Sequence, residues 1–97
     1  MNEVGAATVE IRIPSALRRY SDGAARTTVT AATVLEALQA LVRTYPELRG
    51  MILDEQNVLR RHVNVFCETA EVRSLSGLAT PLQSGQTLMI LPAVSGG

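Results

Sequence analysis

Thr8-Val9-Glu10-Ile11-Arg12-Ile13-Pro14 alternates without a break. Val9, Ile11 and Ile13 share one parity; Glu10 and Arg12 share the other. Strand side chains repeat their direction every two residues, so this pattern predicts a half-buried strand over 8–14. A turn signal follows at Ser21-Asp22-Gly23. Residues 25–30, Ala-Arg-Thr-Thr-Val-Thr, suit a second strand, and the two predict a hairpin around a loop longer than a tight turn.

Thr33-Val34-Leu35-Glu36 then reads as a capping box, in which the Thr and Glu side chains satisfy backbone N–H groups at a helix start. Val34, Leu38, Leu41, Val42 and Tyr45 follow at helical spacing and form one apolar stripe. Pro46 stops the helix, because the residue before a proline is pushed out of helical geometry. Glu47 to Arg61 is mixed and is expected to carry a short turn of helix around Leu48–Leu53. His62-Val63-Asn64-Val65-Phe66-Cys67 alternates again, Glu71-Val72-Arg73 is expected to be a short partner strand, and Thr87–Leu91 is the last strand after a turn at Gln83-Ser84-Gly85-Gln86.

One helix against one mixed sheet is a two-layer α+β domain. The element order predicts a β-grasp, the ubiquitin-like arrangement. Its sheet has four to five strands on one main helix, with the first and last strands parallel and central. Residues 8–91 are expected to form this domain, with a flexible N-terminal extension over 1–7 and an extended C-terminal tail over 92–97.

The 97 residues make one small domain, and an apolar content of 46% suits a globular one. Nine arginines balance nine acids, and there is no lysine. A net charge of zero argues against nucleic acid as the main partner. The single cysteine, Cys67, excludes an internal disulfide and fits a reducing cytoplasm; its inward parity predicts a buried structural thiol. One His and one Cys are too few for the usual zinc site, so no metal is expected. Asp54-Glu55 reads as a solvated turn, and the pairs Arg18-Arg19 and Arg60-Arg61 as solvated surface. His62 is expected at a surface or edge. Gly5, Gly23 and Gly50 read as turn glycines. No stretch approaches the roughly 20 apolar residues of a membrane span.

If Leu88 and Ile90 face the helix with Val9, Ile11, Ile13, Val63 and Val65, parity sends Met89 and Leu91 to the outer face. The same rule sends Phe66 outward. A contiguous exposed apolar group of this kind marks a partner surface, with Arg12 and Arg73 as polar contacts at its rim. Behind Leu91 come Pro92-Ala93-Val94-Ser95-Gly96-Gly97. When extended, these six residues reach about 20 Å, and two residues without Cβ give a thin tip able to thread a channel. The candidate reactive group is the Gly97 carboxylate.

These residues resemble the ubiquitin-like sulfur carrier proteins, the MoaD/ThiS family, from about Val9 to Gly97. The features that carry the resemblance are Val9-x-Ile11-x-Ile13-Pro14 with Leu17-Arg18, Tyr45-Pro46-x-Leu48, Val63-Asn64-Val65, and Leu91-Pro92-Ala93-Val94-Ser95-Gly96-Gly97. Ala93, where the family usually has a second proline, and Gly77-Leu78-Ala79-Thr80 are similar to the CysO branch, which carries sulfur for cysteine biosynthesis.

The resemblance implies a protein cosubstrate, not an enzyme, that binds no cofactor of its own. An E1-like activating enzyme of the MoeB/ThiF type, using ATP and Mg, would adenylate Gly97. Sulfur would then displace AMP to leave a terminal thiocarboxylate, for use by a downstream sulfur-accepting enzyme that makes cysteine, a sulfur-containing cofactor or a natural product. A JAMM-type protease is a further implied partner. The implied site comprises Gly96 and Gly97 for the chemistry, and Arg12, Phe66, Met89, Leu91, Pro92, Ala93, Val94 and Ser95 for the partner. Two other functions fit the same residues: a ubiquitin-like modifier joined through Gly97 to target lysines, and a non-covalent interaction domain.

Overall fold

The computed structural model describes residues 6–92. Strand β1, Ala7–Arg12, pairs antiparallel with β2, Arg26–Ala31. The helix α1, Val34–Thr44, follows. Strand β3, Val63–Cys67, and the two-residue β4, Ala70–Glu71, precede β5, Thr87–Pro92. The sheet order is β2-β1-β5-β3-β4, so β5 is central and lies parallel to β1. This is the expected β-grasp, with five strands.

The alternating pattern becomes the core. Val9, Ile11, Ile13, Val63, Val65, Leu88 and Ile90 are all buried beneath α1, which contributes Val34, Ala37, Leu38 and Leu41. Val42 and Tyr45 complete the stripe from its partly buried edge. At the helix start, Thr33 Oγ1 accepts from Glu36 N–H at 3.3 Å. The Glu36 carboxylate accepts from Ala32 N–H at 2.9 Å, one residue earlier than the standard capping box uses. Thr33 is itself engaged in a bridge with Pro81.

Three expectations are corrected. The first strand ends at Arg12, not Pro14: Ile13 still donates to the Ala25 carbonyl at 2.8 Å, but its own carbonyl is taken by Arg18 Nε at 3.0 Å. Helical geometry near 48–53 is confined to a 3₁₀ turn at Pro46–Leu48, and Gly50 follows at φ +83°. That left-handed conformation suits glycine and breaks a helix. Ile52, Leu53 and Leu59 are instead buried through a loop closed by a Leu53–Leu59 bridge. The expected strand Glu71-Val72-Arg73 is β4 plus a 3₁₀ turn, Val72–Ser74, which buries Val72.

Among the described residues, no helix is long and apolar enough to cross a membrane. Among them, too, no group of three or more His, Cys, Asp or Glu side chains is gathered as a metal site needs.

Candidate functional site

The register of the five strands assembles one row across the outer face. Arg26 of β2 stands opposite Arg12 of β1, and Arg12 opposite Met89 of β5. Met89 stands opposite Phe66 of β3, and Phe66 opposite Glu71 of β4. Leu91 and Asn64 form the next pair toward the end of β5. Met89 is 37% and Leu91 39% exposed, and Phe66 is half-buried. Sequence parity thus placed Arg12, Phe66, Met89 and Leu91 together, and the structure brings them together.

Charged residues rim this patch on two sides. Glu10 lies 3.4 Å from Arg12 Nε and 3.9 Å from Arg26 Nη1. Exposed pairs such as these add little stability, but they gather Arg12, beside Met89, and Arg26, one strand further out, around Glu10. On the other side Arg73 donates to Asn64 Oδ1 at 3.0 Å and to the Arg60 carbonyl at 2.8 Å. Its pair with Glu71 is 3.4 Å. Arg73 therefore ties β3 to the loop before it, next to Leu91. Arg26 and Asn64 were absent from the sequence-based site, although extending the same parity to β2 and β3 finds both.

Pro92 has the opposite parity from Leu91. It pairs with Val63 and lines a groove of about 460 Å³ on the helix side of the sheet. The last strand thus presents one residue to each face where the described chain ends. Ala93, Val94, Ser95, Gly96 and Gly97, all placed in the site from the sequence, lie outside the described residues.

The remaining reactive side chains have structural surroundings. Cys67 is buried at 6% exposure, and burial raises its pKa, with the Glu68 charge adding to the rise. A protonated, enclosed thiol is a poor nucleophile. Asp54 accepts from the Gln56 and Val58 N–H groups at 2.8 and 3.0 Å, which lowers its pKa and makes it the hub of a turn. His62 is exposed just before the start of β3.

The sequence model of the ThiS family matches residues 11–97. The chain is 31% identical over 91 residues to the sulfur carrier protein CysO of Mycobacterium tuberculosis, covering 92% of this chain and 98% of that one. Its structure superposes on a chain of the crystallised BexX/CysO complex of Amycolatopsis orientalis with a TM-score of 0.84 and 34% identity, covering 92% and 99% of the two chains. The small archaeal modifier protein 1 of Methanosarcina acetivorans matches with a TM-score of 0.84 and 28% identity, over 95% and 98%.

Proposed function

Because this chain belongs to the ThiS family of small sulfur carriers and ubiquitin-like modifiers, we propose that it is a sulfur carrier working through the Gly97 carboxylate. What carries the proposal is the continuous match that runs through Gly97, on a chain covering nearly all of its CysO relative.

The chemistry needs activation. A carboxylate resists attack, because a nucleophile must add to an anion and expel oxide. An E1-like enzyme of the MoeB/ThiF type, holding ATP and Mg, joins the carboxylate oxygen to the α-phosphate and releases pyrophosphate. The resulting mixed anhydride has AMP as a good leaving group. Sulfur at the sulfide level, as hydrosulfide, adds to the carbonyl and AMP departs with the acyl–phosphate bond pair, leaving a terminal thiocarboxylate and a proton. Sulfur delivered as a persulfide forms an acyl disulfide first; a thiol then reduces its S–S bond and leaves as the mixed disulfide with the donor. The ionised sulfur of the thiocarboxylate is then the nucleophile offered to the acceptor enzyme. The carrier contributes position: a docking face at the base of the tail, and glycines thin enough for a narrow channel. The proposed product is cysteine, or else a sulfur-containing cofactor or natural product; the CysO relative is named a sulfur carrier, which supports the carrier role.

A CysO relative was crystallised as a complex with BexX. A protein partner is proposed here too, first the activating enzyme and then a sulfur-accepting one. A JAMM-type protease acting on the carrier is a further proposed partner.

A second reading follows from the archaeal modifier relative: the same activated carboxylate is joined to lysines of target proteins. Mass spectrometry of protein from its native host separates the two. One oxygen exchanged for sulfur at Gly97 supports the carrier, and covalent adducts through Gly97 support the modifier. Neither product, with activating enzyme and sulfur donor present, defeats both.

A further inference from the structure

The groove below Pro92 is on the opposite side of the sheet from the outer patch. Its walls and floor are apolar: Leu17, Tyr20, Met51, Val63, Ile90 and Pro92. Arg60 and His62 are its other large polar-tipped side chains, and no acidic residue lines it. A second groove shares Gly50 but differs in charge, with Arg43 and Arg49 set against Asp54 and Glu55. The groove at the base of the tail has the Arg60 guanidinium in its lining with no carboxylate beside it there; Asp54, whose pKa Arg60 helps to lower, lines the second groove instead.

That guanidinium is held in place. Arg60 N–H donates to the Ile52 carbonyl at 3.0 Å, and Arg60 Nε donates to the Gly50 carbonyl. The Arg60 carbonyl in turn accepts from Val63 N–H at 3.0 Å and from Arg73 at 2.8 Å. Nε is thus occupied, while arginine keeps four further N–H donors for a carboxylate. Arg19 lies 5.8 Å over the ring of Tyr20, so a second cation stands by the far wall.

We propose that this groove is a second docking site, and that it takes an acidic segment with an apolar anchor side chain from the enzyme that grips the tail. The assignment rests on charge complementarity: an apolar floor beside fixed arginine, with no acid, selects an apolar side chain flanked by carboxylates. It also rests on position. Leu91 faces one side of the sheet and Pro92 the other, so a partner gripping the chain at this point meets the outer patch and the groove together. This deepens the sulfur-carrier proposal, because the occupant is assigned to that carrier's partner.

The test uses the full chain and a blocked peptide in which six acidic residues flank a Leu-Phe pair, followed by NMR. The expected result is saturable shifts at Leu17, Met51, Val63 and Ile90, about fivefold weaker binding in Arg60→Glu, and strong weakening by 0.5 M salt. Ala16→Glu adds an acid to the exposed rim without touching the Arg60 hydrogen bonds, and is expected to weaken binding to the same degree. The same peptide with lysines in place of the acids is expected to leave those residues unshifted.

Equal shifts from both peptides, shifts confined to Phe66, Met89 and Leu91, or tighter binding once residues 93–97 are removed would overturn the assignment. The last outcome would make the chain's own tail the occupant. No step of this experiment involves Gly97 chemistry, so it and the mass measurement above fail independently.

Discussion

Phe66 and Met89 stand directly opposite each other across β3 and β5, on the sheet face turned away from α1. Their neighbours in sequence, Val65 with Ile90 and Cys67 with Leu88, form the flanking pairs and are buried under the helix. One strand pair thus builds core on one side and an exposed apolar patch on the other. Single exposed apolar residues are ordinary, but a contiguous set with charged residues at its rim marks a surface built for a partner.

Leu91→Asp is expected to separate docking from stability. Leu91 is 39% exposed, so a carboxylate there keeps much of its hydration and should cost less than about 1 kcal/mol. In the proposed complex it would be desolvated against an apolar surface, and activation should fall at least tenfold. Thermal unfolding and a pyrophosphate-release assay read the two effects. A large loss of melting temperature would show that the face is core.

Ile90→Ala tests the opposite parity. Ile90 is fully buried, and truncation leaves a cavity beneath α1. The expected loss is about 2–5 kcal/mol by chemical denaturation. A loss similar to that of Leu91→Ala would contradict the register of β5.

The helix start gives a smaller, local effect. Thr33→Ala frees the Glu36 N–H, and Glu36→Ala frees the Ala32 N–H. Each should cost about 1 kcal/mol, with little effect on docking, because Thr33 caps α1 and Glu36 lies in its first turn, away from the outer face of the sheet. Equal losses in the double variant and either single variant would mean that the two bonds act as one unit.

Gly96→Val tests the proposed tail. A β-branched residue thickens the tip and restricts its backbone. Thiocarboxylate formation should be abolished while circular dichroism and melting remain unchanged. Normal sulfuration of the variant would remove the requirement for a thin tip.

Period-2 alternation made β1, β3 and β5 legible in the sequence, because each has one face in the core and one outside. The same alternation revealed Phe66, Met89 and Leu91. Residues 49–62 were not legible. Ile52, Leu53 and Leu59 are buried by a looping backbone with no fixed period, and Asp54 organises that loop through local hydrogen bonds. The strand expected at Glu71–Arg73 failed for a related reason: Val72 reaches the core from a 3₁₀ turn, which a short apolar-polar pattern does not distinguish from a strand. The groove at Pro92 was also beyond sequence reading, since it brings together residues from Ala16 to Pro92 that share no motif.

Cys67 sets an alkaline limit on stability. Burial raises its pKa above 9.0, the value expected for the free thiol, because ionising it in place would put a charge in the core. In the unfolded chain the thiol ionises at the ordinary value. Above that pH the unfolded state binds fewer protons than the folded one, so stability falls as pH rises. The contribution is fully present below the unfolded pKa and is lost as pH rises through the folded one. Unfolding measured from pH 7 to 10.5 should show this decline in the native chain and a shallower one in Cys67→Ala. Alkylation by iodoacetamide at pH 8 should likewise be slow until denaturant is added. Rapid labelling of the folded protein, or identical pH profiles for the two chains, would show that Cys67 ionises in place.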